Sequence, residues 1–143
     1  MTKETVSISK GNSKMGQIPS VSLPACITCN PLAPCFKKCY AKRLEKRYPT
    51  VNNAYARNLE ILNNDNTLYW YSVYKAAKTS RFFRFHVSGD IPEHSYLNSM
   101  VSIAETLPAT KFLAFTKQYD IVNNYIDLFG KLPENLQIIF FFF

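Results

Sequence analysis

The chain has 143 residues and a formal net charge of +7, with 17 Lys and Arg against 10 Asp and Glu. Apolar residues make up 47% of the chain, whereas Pro and Gly number only eight and four, so the composition excludes intrinsically disordered and collagen-like proteins. The polar start, MTKETVSISKGNSK, lacks the apolar stretch of a signal peptide, and no window of the sequence resembles a membrane span. We therefore expect a globular protein in a reducing cytoplasm, with no membrane contact.

A weak strand at 20–24 is the first predicted element, and it leads directly into a loop that contains all four cysteines. Apolar residues then recur at intervals of three and four, which predicts helices, until the first alternating segment begins at residue 81. The predicted helices span 36–48, 51–63, 67–77, 92–107 and 119–131. The remaining predicted strands span 81–88, 111–116 and 136–143.

Three local signals refine these elements. Pro49 is predicted to end the first helix, and Thr67 is predicted to cap the third. Asn58 is the one polar residue in the apolar stripe of the second helix. In the strand at 81–88, two sets of side chains alternate, as on the two faces of a strand: Phe83, Phe85 and Val87 against Arg84, His86 and Ser88.

The predicted strand starts near 81, 111 and 136 repeat at intervals that suit βα units. The order of elements predicts an α/β fold with at least three parallel strands, as βα repeats in a partial (β/α) barrel or in an open doubly wound sheet. No linker marks a second domain. We therefore expect a single domain over 1–143, with a polar N-terminal segment at 1–19 and the α/β domain at 20–143.

The run of four Phe at 140–143 ends the sequence inside a predicted buried strand, with no helix after it. An uncovered strand edge that carries aromatic side chains is a template for association. We expect either self-association through 136–143 or a truncated form of a longer protein.

The four cysteines lie within 14 residues, in the pattern C-x2-C-x5-C-x3-C. A disulfide framework spreads its cysteines across the fold, whereas clustered thiolates are typical of zinc and iron–sulfur sites. Structural zinc sites usually separate two pairs of ligands by a longer insert, so the compact run favours an iron–sulfur cluster, with zinc as the alternative. The predicted metal ligands are Cys29, Cys35 and Cys39, with Cys26 as a fourth ligand or a bystander.

A second candidate site follows the strand at 81–88, because ligands of parallel α/β sheets bind at the carboxyl ends of the strands. Gly89 would let the backbone approach a ligand, and Asp90 would accept a hydrogen bond from an ammonium or hydroxyl group. The alternative for Asp90 is to cap the helix that starts near Pro92. The predicted cofactor-binding residues are His86, Ser88, Gly89, Asp90 and Lys117, the last of which follows the next strand.

Seven basic residues and one acid lie between 37 and 57, and they supply +6 of the net charge. Such a run suits contact with phosphates, and the tyrosines among them are able to stack on bases. The alternative is a solvated helix face, which is the commoner origin of a charge run. The candidate contacts to nucleic acid, or to another acidic partner, are Lys37, Lys38, Lys42, Arg43, Lys46 and Arg47.

Several stretches of the chain carry a family resemblance. They are N-S-K-M-G at 12–16, P-S-V-S-L-P-A at 19–25, C-F-K-K-C-Y-A at 35–41, Asn58 and F-R-F-H-V-S-G-D at 83–90. Together they resemble the phage gene product 88 family, which is similar in turn to radical S-adenosylmethionine proteins. The resemblance spans nearly the whole chain, and it implies a location in the host cytoplasm.

The comparison with radical S-adenosylmethionine proteins implies a truncated barrel of that type. In those enzymes a cysteine loop after the first strand holds a 4Fe-4S cluster through three thiolates, which leaves one iron for S-adenosylmethionine. The amino group of that cofactor binds after the second strand, at the place that Ser88-Gly89-Asp90 occupies here. The usual C-x3-C-x2-C motif is absent, so Cys35 and Cys39 would supply one interval and the third ligand would be Cys29 or Cys26.

Two functions are therefore predicted. The first is an iron–sulfur protein of radical S-adenosylmethionine-like fold, either an enzyme or a relative that has lost activity. The second is a non-catalytic, zinc-stabilised module that binds nucleic acid.

Overall fold

The computed structural model describes residues 5–11, 18–24 and 49–140. The predicted helix at 36–48, the four cysteines and the basic residues at 37–47 lie outside the described residues. The last three residues of the predicted C-terminal strand, 141–143, also lie outside them, and self-association through that strand stays a prediction.

A five-stranded sheet forms the centre of the described part, with its strands in the order β1-β2-β3-β4-β5. β1 pairs with β2 in antiparallel fashion and the other neighbours are parallel, so the predicted α/β fold with mostly parallel strands is confirmed. The strands are β1 Ile8–Ser9, β2 Ser20–Val21, β3 Phe82–Phe85, β4 Lys111–Thr116 and β5 Leu136–Phe140. β4 has the predicted bounds, whereas β1 lies in the N-terminal segment, for which no strand is predicted.

The helices of the described part are α1 Pro49–Asn64, α2 Asn66–Lys78, α3 His94–Thr106 and α4 Tyr119–Phe129. Pro49 begins a helix, because the first helical residue needs no backbone N–H donor and the fixed φ of Pro suits that position. The N-cap of α2 is Asp65 rather than the predicted Thr67, since the Asp65 carboxylate accepts a hydrogen bond from Leu68 N at 3.1 Å. None of these helices is long and apolar enough to cross a membrane.

All four of these helices contribute to a core on one face of the sheet, α1 through Ile61 and Leu62. Phe85 and Phe112 point into this core, where Phe85 contacts the Trp70 ring of α2 at a centroid distance of 6.2 Å. Tyr119 of α4 contacts Phe140 of β5. A doubly wound sheet requires a point at which the strand order reverses. The described strands follow one another in sequence order, without such a reversal. These strands therefore form an open, singly wound sheet, and a closed barrel is not shown.

Asn58, the polar member of the predicted apolar stripe, is fully buried in α1. Its Oδ1 accepts a hydrogen bond from Ser7 N at 2.7 Å, and its Nδ2 donates to the carbonyl oxygens of Ser7 at 3.1 Å and Ser22 at 3.0 Å. Asn58 thus ties α1 to the segment before β1 and to the end of β2. A buried backbone group without a partner is costly, which explains a polar residue at this position.

Replacing Asn58 should therefore destabilise the fold strongly. We expect Asn58→Ala to lower the free energy of unfolding by about 3 kcal/mol, because each buried group left without a partner costs about 1–3 kcal/mol. Urea denaturation followed by circular dichroism measures the change. The exposed Asn53 of the same helix offers a matched control, and Asn53→Ala should change the stability by less than about 0.5 kcal/mol. Equal stability of the two variants would contradict the role given to Asn58.

Candidate functional site

The chain turns sharply where β3 ends. His86 adopts a φ of 64°, in the left-handed region that residues other than Gly rarely enter. Ser22 stabilises the turn, because its Oγ accepts hydrogen bonds from Val87 N at 3.1 Å and Ser88 N at 3.2 Å. Leu23 N then donates to the Ser88 carbonyl oxygen at 3.0 Å. The carboxyl ends of β2 and β3 are therefore held side by side.

The turn ends the alternation predicted for 81–88. β3 stops at Phe85, and the His86 ring is buried next to the Phe85 ring, at a centroid distance of 6.0 Å. Val87, which the alternation groups with Phe85, is instead 46% exposed. The two-residue period requires extended backbone, so it does not continue through a left-handed residue.

Asp90 joins the carboxyl ends of β3 and β4. Its buried carboxylate accepts three hydrogen bonds, from Thr116 Oγ1 at 2.6 Å, Ile91 N at 2.7 Å and Lys117 N at 2.8 Å. Thr116 is the last residue of β4. The N-cap of α3 is Glu93, so the alternative prediction that Asp90 caps this helix is wrong.

Burial raises the pKa of Asp90 above its ordinary value, because the charged carboxylate loses its hydration. The hydrogen bonds from Thr116, Lys117 and Ile91, together with the positive charge of Lys117, act against this rise. The carboxylate therefore depends on donors from the protein itself, which is typical of a group that fixes local structure.

His86 begins a chain of buried polar groups on the helix side of the sheet. Its Nε2 lies 2.9 Å from the Tyr96 hydroxyl, which lies 2.5 Å from the Tyr69 hydroxyl. The Trp70 ring packs on both tyrosines, at centroid distances of 4.7 Å and 5.1 Å. Burial, with a smaller contribution from the charge of Arg84, lowers the pKa of His86 to about 3. The imidazole is therefore neutral, and within the described part of the chain its Nδ1 has no hydrogen-bond partner.

The structure brings together four of the five predicted cofactor-binding residues. Ser88, Gly89 and Asp90 are consecutive residues after the end of β3. The Asp90 carboxylate accepts a hydrogen bond from the backbone N–H of Lys117, at the end of β4. Gly89 has a φ of 82°, which favours glycine. The His86 side chain does not join this group, since its Nε2 atom is hydrogen-bonded to the Tyr96 hydroxyl of α3. Binding of a cofactor by these residues stays a prediction.

Sequence reasoning missed three residues of this region. Tyr69 and Tyr96 are buried residues of α2 and α3, and a buried tyrosine signals a hydroxyl group that needs a partner. Ser22 carries no comparable signal, because the backbone groups that it binds lie more than 60 residues away in sequence.

The predicted metal ligands, Cys26, Cys29, Cys35 and Cys39, lie outside the described residues. Within residues 5–11, 18–24 and 49–140, no group of three His, Cys, Asp or Glu side chains is placed to hold a metal ion. The metal centre therefore stays a prediction from the cysteine pattern.

These features define a mostly parallel α/β protein with a polar cluster at the carboxyl edge of its sheet. The chain belongs to the Gene product 88 family of phage proteins, since the model of that family matches residues 1–142. No curated protein and no solved structure matches the chain. The family resemblance is therefore confirmed, whereas the further similarity to radical S-adenosylmethionine proteins receives no support from these comparisons.

The pKa of His86 predicts how its contribution to stability depends on pH. The folded-state pKa of about 3 lies below the ordinary value of 6.5, so the unfolded chain binds the proton first as the pH falls. His86 therefore contributes stability that is present above pH 6.5 and is lost as the pH falls toward 3. His86→Asn removes this titration while keeping a side chain that tolerates left-handed backbone. We expect a smaller loss of stability in this variant between about pH 7 and pH 4.

Urea midpoints across that pH range measure the effect. The exposed His94 is the only other histidine, and His94→Asn is the matched control for the substitution itself. A His86→Asn profile parallel to that of the parent would contradict the assignment.

Asp90→Asn should destabilise the junction of β3 and β4. The carboxylate accepts hydrogen bonds from three donors, and the amide of Asn would turn an N–H group toward one of them. We therefore expect a loss of about 2 kcal/mol in the free energy of unfolding. Urea denaturation near neutral pH measures it, with Asp127→Asn at an exposed position of α4 as the matched control. A loss no greater than that of the control would show that the junction does not depend on this carboxylate.

Proposed function

We propose that the chain is an iron–sulfur protein whose 4Fe-4S cluster is held by the thiolates of Cys29, Cys35 and Cys39, with Cys26 as the candidate fourth ligand. The observation that carries the proposal is the position of the chain just before these cysteines. Leu23 is fully buried, and its backbone N–H donates a hydrogen bond to the Ser88 carbonyl oxygen at the carboxyl edge of the sheet. That is the edge where ligands bind in parallel α/β proteins.

Chain connectivity supports this placement. Cys26 follows Pro24 by two peptide links, which span at most about 7.6 Å. The first cysteine therefore begins within reach of the edge that carries Ser88 and Asp90.

The set of donor atoms suits the group. Thiolates are the ligands that iron–sulfur clusters use, and four of them within 14 residues can converge on one centre. The described residues offer no competing group of His, Cys, Asp and Glu that would hold a metal ion. A cluster held by three thiolates would keep one iron open for a small ligand.

S-Adenosylmethionine is the small ligand that the resemblance implies. Three of the roughly four acceptor positions of the Asp90 carboxylate are already used by Thr116, Ile91 and Lys117, so Asp90 is better suited to fixing the edge than to binding the cofactor's amino group. We assign direct contact with the cofactor to the neighbouring residues of the edge, Ser88, Gly89 and Lys117. The ammonium group of Lys117 suits the cofactor's carboxylate.

Zinc is the alternative occupant of the cysteines, and it belongs to the second hypothesis, a non-catalytic nucleic-acid-binding module. That hypothesis rests on the basic residues from Lys37 to Arg47, which lie outside the described residues. One metal analysis distinguishes the two.

The test is anaerobic purification of the full chain, followed by analysis of iron, sulfide and zinc. We expect brown protein that contains iron and sulfide, and we expect Cys35→Ser and Cys39→Ser to lose both together with part of the folded population, because the metal and the fold are linked. Ser102→Ala, at an exposed position of α3, is the control and should retain both. Full iron and sulfide in both cysteine variants would overturn the proposal, and colourless protein with stoichiometric zinc would favour the alternative.

A further inference from the structure

The face of the sheet opposite the core carries an exposed aromatic residue among cations. Phe82, the first residue of β3, is 46% exposed, whereas its neighbour Phe83 is buried in the core. The register pairs Phe82 with Lys111 and Arg84 with Leu113, so these four side chains share one face. The open face is defined here as Phe82, Arg84, Lys111, Leu113, Phe115, Gln137 and Ile139.

A groove of about 230 Å³ runs along the open face near the amino ends of the strands. Its lining includes the apolar side chains of Ile18, Phe82 and Leu113 and the polar side chains of Lys111, Arg84 and Gln137. Gln137 is the register partner of Leu113, one strand further along the sheet. The groove therefore combines a flat aromatic surface, positive charge and an amide group within three adjacent strands.

Arg84 adds a second cation to this groove. Its guanidinium carbon lies 5.3 Å from the centroid of the Phe115 ring, which holds the side chain along the sheet. Partial burial lowers the pKa of Arg84, yet an arginine keeps its charge in proteins. A charge in partly desolvated surroundings attracts an anion more strongly than one in bulk water.

We infer that the open face binds single-stranded nucleic acid, with a base stacked on Phe82, a phosphate bound by Lys111 and a base edge within reach of the Gln137 amide. An exposed aromatic ring on a sheet, flanked by Lys or Arg, is the arrangement by which sheet surfaces bind single strands. Stacking on Phe82 requires an unpaired base, so a duplex does not satisfy this surface.

This inference does not depend on the iron–sulfur proposal. Phe82 begins β3, whereas the carboxyl edge follows that strand, so the groove beside Phe82 and the carboxyl edge lie at opposite ends of it. It also differs from the prediction based on Lys37 to Arg47, since it uses none of those residues.

The experiment measures fluorescence anisotropy of labelled single-stranded DNA and RNA of about ten nucleotides, a length within the usual site sizes, on titration with the full chain. We expect binding that weakens with salt. Phe82→Ala should weaken it about 5- to 150-fold, the range that one lost stacking contact gives. Phe82→Trp should preserve binding, because it keeps an aromatic face.

Lys111→Gln should also weaken binding, and it should flatten the dependence of log K on log salt by about 0.7, the value for one phosphate contact with a single strand. Helix α2 offers matched controls away from the open face. Tyr71 is 56% exposed there, and the ammonium of Lys75 lies 5.7 Å from the centroid of its ring. Tyr71→Ala and Lys75→Gln should leave both the affinity and the salt dependence unchanged.

Three results would overturn the inference. They are no binding of single strands by the full chain, equal losses in the open-face and α2 variants, and binding that Phe82→Ala leaves intact. The last result, with duplex bound as well as single strand, would point to the basic residues at 37–47 instead. Urea midpoints of all variants exclude unfolding as the cause of a loss, and Phe82 and Lys111 are both exposed enough for their replacement to leave the fold in place.

Discussion

Buried backbone groups at the ends of strands must find hydrogen-bond partners, and this constraint governs the described structure because its strands are only two to six residues long. Side chains supply many of the missing partners. The Nδ2 group of Asn135 donates to the carbonyl oxygens of Ala104, Leu107 and Thr110, and these bonds fix the chain between α3 and β4. Ser22 and Asn58 act in the same way beside β2.

The same constraint accounts for the polar character of the carboxyl edge. Asp90 accepts hydrogen bonds from the backbone N–H groups of Ile91 and Lys117, which lie beyond the ends of β3 and β4, and from the Thr116 hydroxyl. An apolar side chain in its place would leave three donors unsatisfied. Rigidity of this kind also suits binding, because a site on fixed strand ends loses little conformational entropy when a ligand arrives. A structural role for Asp90 is therefore compatible with a ligand site on the residues around it.

The sequence predicts those elements whose signals are local. β4 shows its own two-residue alternation, and α4 shows its own helical period and ends just before Gly130. Neither signal depends on a residue elsewhere in the chain, and both elements lie close to their predicted bounds. β1 is different, since two residues form a strand only because Ile8 pairs with Val21 across the chain.

The turn after β3 shows why the candidate site could be predicted only in part. Its position is readable, because Gly89 and Asp90 break the alternation and Lys117 follows the next strand. The orientation of His86 is not readable, because it depends on a left-handed backbone stabilised through Ser22 and on the Tyr96 hydroxyl of α3. Periodicity assumes one backbone conformation, so it fails at the residue where that conformation changes.

β3 connects two surfaces of different chemistry. Its four residues rise by about 3.3 Å each, so the ring of Phe82 and the turn at His86 are about 13 Å apart along the strand. Phe83 and Phe85 lie between them and point into the core, where they keep the strand in place for both surfaces. The carboxyl edge depends on buried hydrogen bonds that leave little room for substitution, whereas the open face presents side chains that contribute little to the core. Substitutions on the open face should therefore alter the binding of nucleic acid without disturbing the carboxyl edge. This independence allows the proposed nucleic-acid site and the proposed iron–sulfur site to be tested separately in one chain.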